Sequence, residues 1–208
     1  MSATTTDTPA AAATREVVAA LRDVVRGEVT TSTRVRAEYS TDASNYRVVP
    51  QVVVLPRDVD DLLAVHEVAR ATGTPLTLRG AGTSVAGNAI GPGIVVDTSR
   101  YLNAIGEIDP EARTAVVQPG VVMSALQKAA APHGLRFGPD PSTQNRATFG
   151  GMIGNNACGP RAVAYGRTAD NVVSLDVVDG TGRRFTATRG QGALDAVPGL
   201  ADLVTARM

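Results

Sequence analysis

Two glycine-rich stretches hold the residues best suited to contact a ligand. The first, Thr77 to Asn88, reads T-L-R-G-A-G-T-S-V-A-G-N and gathers Gly80, Gly82 and Gly87 around Thr83 and Ser84. Such a run bends with its N–H groups outward and no Cβ in the way, which is the chemistry of a phosphate cradle. Arg79 can add a full positive charge there, with a structural ion pair as the alternative use for it. The second stretch, Thr148 to Gly166, reads T-F-G-G-M-I-G-N-N-A-C-G-P-R-A-V-A-Y-G. Gly150, Gly151, Gly154 and Gly159 again permit close backbone approach, and Asn155 and Asn156 offer amides suited to a heterocycle or sugar. Two cradles imply two ends of one long ligand.

The elements around the first stretch narrow what it holds. Pro75 to Leu78 is a short apolar strand, and Gly91-Pro92-Gly93 leads into another, Ile94 to Asp97. A dinucleotide fingerprint of the G-x-G-x-x-G kind must open a helix, which Gly91-Pro92-Gly93 forbids. Gly82 to Gly87 has the spacing of a nucleoside-triphosphate loop, yet Asn88 stands where the lysine belongs and Ala89 where a hydroxyl would hold magnesium. A glycine-rich surface loop with no ligand stays open as the alternative on this stretch alone.

Composition sets outer limits. The 208 residues are 43% hydrophobic, enough for one compact domain or two small subdomains. Lys plus Arg and Asp plus Glu number 20 each, so no basic excess recommends nucleic acid as a partner. The single cysteine, Cys158, forms no intramolecular disulfide, and with His66 and His133 it is too little for a metal site. No apolar run reaches the ~20 residues of a membrane span, and the N-terminus lacks a signal-peptide pattern. The cytoplasm is the default expectation.

In chain order, Met1 to Ala13 reads as a mobile tail, and Thr14 as the cap of a helix running to about Arg26 and stopping at Gly27. Tyr39 to Pro50 has no period and reads as a polar loop before the strand Gln51 to Leu55. Pro56-Arg57-Asp58 caps a helix with Val59, Leu62, Leu63, Val65 and Ala69 on its buried face, ending at Gly73. Strand, helix and strand then form a right-handed βαβ unit. His66 is read as a partly buried helix residue and His133 as a helix end, neither with chemistry. Ala104–Ile108 and Ala112–Gln118 make a hairpin, Val121–Ala131 a helix, Phe137 to Pro141 a rigid turn, and Val172–Val178 pairs with Arg183–Ala187 across Asp179-Gly180-Thr181-Gly182. The mixture is α+β.

From about Val48 to Arg184 the chain resembles the flavin-binding domain of the vanillyl-alcohol oxidase and p-cresol methylhydroxylase superfamily. The branch it is most similar to contains D-lactate and D-2-hydroxyglutarate dehydrogenases and the flavin subunit of glycolate oxidase. The resemblance rests on an ordered set: Pro56-Arg57, Arg79-Gly80-Ala81-Gly82-Thr83-Ser84, Gln118-Pro119-Gly120, Pro139-Asp140-Pro141-Ser142, Gly150-Gly151, Asn156-Ala157, Gly159-Pro160-Arg161 and Tyr165-Gly166. Each motif is weak alone; the ordered set is specific.

The resemblance implies non-covalent FAD held between two α+β subdomains, about 48–100 and 101–190, after an N-terminal helix and loop over 14–47. Arg79, Gly80, Ala81, Gly82, Thr83 and Ser84, with Gly87 and Asn88, would hold the pyrophosphate. Pro139, Asp140, Gly150, Gly151, Gly154, Asn156, Gly159, Tyr165, Gly166 and Val172 would line the rest of the flavin and the adenosine. Many relatives bond a histidine to the flavin at the position of Thr83, so no covalent link is expected here. The Ala157-Cys158-Gly159 form resembles larger bacterial fusions carrying an iron-sulfur region, and Cys158 is read as a small packing residue rather than a redox group. In such enzymes the hydroxy-acid pocket and the proton-accepting histidine lie in a downstream domain. The stretch 191–208 is accordingly read as a truncated extension, with a short helix from Leu200 to Arg207. No catalytic base is assigned. Substrate would arrive through a further domain or partner chain, and peripheral membrane association through an electron acceptor is a further expectation.

Overall fold

A computed structural model describes residues 9–189. The extension 191–208, its expected helix and most of the N-terminal tail lie outside the described residues. A first core is built on a four-stranded sheet of order β1-β2-β4-β3, from β1 (Glu28–Thr30), β2 (Val52–Leu55), β3 (Leu76–Arg79) and β4 (Ile94–Asp97). β2, β3 and β4 run parallel, and β1 pairs antiparallel with β2. The apolar runs of β2 and β4 are buried at every position, as interior strands covered on both faces require. The expected βαβ unit is present, with β4 inserted between its two strands.

Helices α1 (Pro9–Val24) and α3 (Val59–Thr72) cover one face, where Val17, Val18 and Leu21 meet Val65, Ala69, Val52, Val54, Ile94 and Val96. Each of the Val, Leu and Ile side chains so removed from water contributes about 1.5–3 kcal/mol. The expected tail is corrected in part: α1 begins at Pro9, so Thr14 lies inside it. The helix therefore belongs to the first core rather than preceding it. Of the expected face of α3, Val65 and Ala69 are buried, while Val59 is exposed. Asp58 caps α3 by accepting from the Asp61 N–H at 3.0 Å, and Gly73 ends it in the left-handed conformation.

Asp61 is a buried feature that the apolar pattern hid. Its carboxylate, 1% exposed, accepts the backbone N–H groups of Arg26 at 2.9 Å and of Gly27 and Arg57 at 2.8 Å. Burial alone would raise its pKa; those N–H groups and the Arg26 charge outweigh it and hold the carboxyl below the usual range. The end of α1 is thereby tied to the start of α3. The sequence reading also passed over β1 and α2 (Thr33–Glu38), both too short to show a period.

The second half packs around Val121, Met123, Leu126, Ala147, Phe149 and Met152. It contains the hairpin β5 (Ile105–Asp109) and β6 (Thr114–Val117), then α4 (Met123–Ala130), with one 3-10 turn carrying His133 to a left-handed Gly134. Two short helices follow, α5 (Phe149–Gly154) and α6 (Ala162–Tyr165), and then the hairpin β7 (Ser174–Val178) and β8 (Arg184–Thr188). Phe137 and Phe149 meet edge to face at 5.0 Å between centroids.

Candidate functional site

A cleft of about 390 Å³ opens where the two halves meet, a volume suited to part of a small-molecule ligand. Gly80, Ala81, Gly82, Thr83, Ser84 and Asn88 of the expected set line one wall, and Gly87 does not. Val85 and Ala86 continue that wall, and Gly82 and Gly87 have φ of 64° and 79°, where only glycine is unstrained. The backbone N–H groups of Ala81, Gly82, Thr83, Ser84 and Val85 have no hydrogen-bond partner among the described residues. Ser84 Oγ accepts the Ala86 N–H at 3.2 Å and the Asn88 N–H at 3.4 Å, which bends the loop and leaves its own proton free. A row of unpaired donors on a wall without charged side chains is an anion nest.

The opposite wall draws on fewer of the expected residues. Gly151 lines the cleft, with Ser142, Thr143, Thr148, Asn155 and Cys158 beside it. Gly150, Gly159 and Gly166 do not. An added Cβ would press Gly150 on Pro119, Gly159 on the Asp140 carbonyl and Gly166 on the Asp170 side chain. Gly154 ends α5 with open space around it. Pro139 is buried, Asp140 accepts the Arg161 N–H at 3.0 Å, and Asn156, at φ 46°, accepts the Ala169 N–H at 3.0 Å. Tyr165 packs on Gly138, and Val172 follows a 3-10 turn towards β7. None of these residues lines this cleft. Cys158 corrects a further expectation: it is exposed on the cleft and not packed away.

Thr148 joins the two walls. It is 2% exposed, and Oγ1 is the one buried side-chain polar atom without a hydrogen-bond partner among the described residues. It lies against the position a Cβ would take on Gly80 and 3.4 Å from that on Gly151. A buried hydroxyl left unpaired costs about 1–3 kcal/mol, so its place at the cleft asks for a ligand atom. Neither glycine spacing nor burial pattern could single it out, although it stands directly before the Phe149-Gly150-Gly151 motif. Asn88 Nδ2 donates to Asn155 Oδ1 at 2.7 Å, a bond that spans the two halves. Arg79 is not on the cleft wall; its Nη1 donates to the carbonyls of Thr41 and Ala89.

An anion nest facing an uncharged wall, between two α+β halves, defines a binder of an extended phosphate-bearing cofactor. Residues 50–188 match the FAD binding domain family, and the chain belongs to that family, of the vanillyl-alcohol oxidase and p-cresol methylhydroxylase type. It is 44% identical over 170 residues to the D-2-hydroxyglutarate dehydrogenase of Pseudomonas putida, covering 78% of this chain and 17% of that protein. It is 36% identical over 184 residues to the glycolate oxidase subunit GlcD of Escherichia coli, covering 86% of this chain and 36% of that subunit. The fold matches an alkyldihydroxyacetonephosphate synthase structure with TM-score 0.75 at 21% identity, over 89% of this chain and 40% of that one. The chain thus spans well under half the length of these relatives. The cofactor of the family is FAD, and the residues present fit it: unpaired N–H donors for a pyrophosphate, and an orphaned hydroxyl where the walls meet. Among the described residues no helix is long and apolar enough to cross a membrane, and no cluster of metal-ligating side chains is present.

Proposed function

We propose that this chain is the FAD-holding part of a D-2-hydroxy-acid oxidoreductase, with the cofactor non-covalent. The observation that carries the reading is the run of unpaired backbone N–H groups from Ala81 to Val85 on the cleft wall. Those donors, with the Thr83 and Ser84 hydroxyls, would neutralise a pyrophosphate without a lysine. Thr148 Oγ1, the Gly151 backbone and the Asn155 amide would hold the cofactor from the other side, and Cys158 lies within its reach. When bound, FAD supplies the hydride acceptor for the α-carbon of a hydroxy acid, and the protein supplies position and a shielded surface. The hydroxy-acid substrate class is carried over from the dehydrogenase and oxidase-subunit relatives. The groups that clamp the acid and take its hydroxyl proton are proposed to come from a further domain or partner chain, consistent with the small share of each relative that this chain spans.

The test is the absorption spectrum of the purified chain, followed by acid precipitation. A flavin spectrum that passes wholly into the supernatant, with the released cofactor identified as FAD, is the expected result. Flavin left on the washed precipitate would overturn the non-covalent assignment. A chain that neither retains nor takes up FAD would overturn the whole reading.

A further inference from the structure

Behind the first cradle lies a polar cluster built from the 39–47 loop, a segment without sequence period. Arg79 Nη1 donates to the Thr41 carbonyl at 2.9 Å and to the Ala89 carbonyl at 3.0 Å. Its guanidinium carbon lies 5.0 Å from the centroid of the Tyr39 ring, the geometry of a cation–π contact. The ring is itself anchored, because Tyr39 Oη donates to Asp97 Oδ2 at 2.6 Å. Burial and the Asp97 bond push the Tyr39 pKa up, so the hydroxyl stays a donor at neutral pH. Asp42 accepts the Ala89 N–H at 3.3 Å and the Ser44 N–H at 2.9 Å, and the Ala43 N–H donates to the Gly82 carbonyl at 3.1 Å. The two ends of the cradle, Gly82 and Ala89, are thus both tied to the loop behind it.

Resting on the assignment of the cleft to FAD, we propose that Arg79 is a positioning residue: it shapes the Gly80–Asn88 loop from behind, through the Thr41 and Ala89 carbonyls and the Tyr39 ring, and does not contact the ligand's phosphates. A loop with few bonds of its own costs about 1–2 kcal/mol per residue to order. A cradle ordered in advance spares the ligand that cost, which appears directly as affinity. Gly82 fits the scheme, since a Cβ there would occupy the space of the Arg79 guanidinium. The Asp42 carboxyl is held below its usual range: burial opposes this, but hydrogen bonds from Ser44 and Ala89 and the charge of Arg79 outweigh it.

The experiment compares the parent with Arg79→Ala, Arg79→Lys, Tyr39→Phe and Arg79→Ala/Tyr39→Phe. FAD and riboflavin affinities are measured by flavin fluorescence over a range of KCl, and order parameters of the Ala81–Val85 amides by ¹⁵N relaxation in the flavin-free chain. Arg79→Ala is expected to weaken FAD binding about 10- to 100-fold through two lost charge-assisted bonds. The salt slope of the parent and the affinity for riboflavin, which has no phosphate, should both be unchanged. Arg79→Lys keeps the charge but not the fork, and should lose most of the same affinity. Tyr39→Phe should cost about threefold alone and nothing further in the Arg79→Ala background, because it acts through Arg79. Loop order parameters should fall in every Arg79 variant. A flattened salt slope in Arg79→Ala, full affinity in Arg79→Lys, or unchanged order parameters would each overturn the positioning role. A parent without FAD affinity, whose loop still loses order in the Arg79 variants, would sink the cofactor assignment and leave the brace standing.

Discussion

The two glycine-rich stretches differ in what their glycines leave facing the cleft. In the first, Gly82 and Gly87 take left-handed φ, and the loop presents unpaired N–H groups to the cleft. In the second, Pro119, Asp140 and Asp170 of the same chain press on Gly150, Gly159 and Gly166, and Gly166 also takes a positive φ of 72°. Only Gly151 of that group lines the cleft. Glycine density therefore marks close approach by protein in both stretches, against Thr148, Arg79 and Tyr46 in the first, and only the first also turns a run of unpaired N–H groups to the cleft.

The largest effect that tests this contrast is Gly82→Val. A β-branched residue is forced into left-handed φ and against Arg79, so the cradle must rebuild. FAD affinity is expected to fall by about 2–3 kcal/mol or more, around a hundredfold. Cys158→Ala, on the same cleft but with no backbone demand, should change affinity far less. Equal flavin content in the two purified variants would erase the distinction on which the first region's role depends.

Gly159→Ala should fail in the other way. Its Cβ meets the backbone carbonyl of Asp140, which cannot rotate aside as a side chain can. The expected cost is about 1–3 kcal/mol of stability, or several degrees in melting temperature. FAD affinity measured well below the transition should change much less than in Gly82→Val. A variant with unaltered melting and lost flavin would show that Gly159 touches the ligand after all.

These outcomes reflect what the residue order can and cannot reveal. Strands built on apolar runs, Val52–Leu55 and the Ile94–Val96 part of Ile94–Asp97, and the capped helix from Asp58 to Gly73 are local features, and the structure places them within a residue or two of expectation. The bend of the first stretch was legible too, because Gly82 and Gly87 answer to their own φ. The role of 39–47 was not, since Thr41, Asp42 and Ala43 act through bonds to residues about forty positions away. Asp61 and Thr148 were hidden for a related reason: each is a polar side chain at a buried place that only the tertiary packing creates.

The supports of the two regions also differ in charge. In the first half, Asp61 and Asp42 are held below the usual carboxylate range, because hydrogen bonds outweigh the burial of each; in the second half the carboxyl so held, Asp179, lies in the β7–β8 turn and not at the second core. A depressed folded pKa contributes stability that is complete above the unfolded value, about 3.9, and is lost as pH falls through the folded one. Acid should therefore loosen the first core before the second. Amide protection factors should fall between pH 6 and 3 in peptides around 16–27 and 57–72 ahead of those around 121–152, and Asp61→Asn should flatten that dependence. Simultaneous loosening of both cores would show that these carboxylates do not set the acid response.

Thr148→Val tests the seam between the two walls with opposite signs in one variant. Removing the unpaired hydroxyl from a buried place should leave the flavin-free chain equally or more stable, while the cofactor loses a hydrogen bond of about 0.5–1.5 kcal/mol. Reduced stability without flavin, or unchanged FAD affinity, would mean that the hydroxyl has a protein or solvent partner.

The smallest expected effect belongs to Gly154, the one glycine of the second stretch with nothing within 4 Å of an added Cβ. Its sequence context resembles that of a cofactor-contacting glycine, yet it closes the six-residue helix α5 and is absent from the cleft wall. Alanine is the better helix former by up to about 1 kcal/mol, a difference that shrinks at a helix end. Gly154→Ala should therefore raise the melting temperature slightly and leave FAD affinity as it was. A loss of flavin binding in this variant would place a ligand in the open space beside Gly154 and extend the cofactor's path along α5, which the geometry of Gly150 and Gly159 otherwise reserves for the protein's own packing.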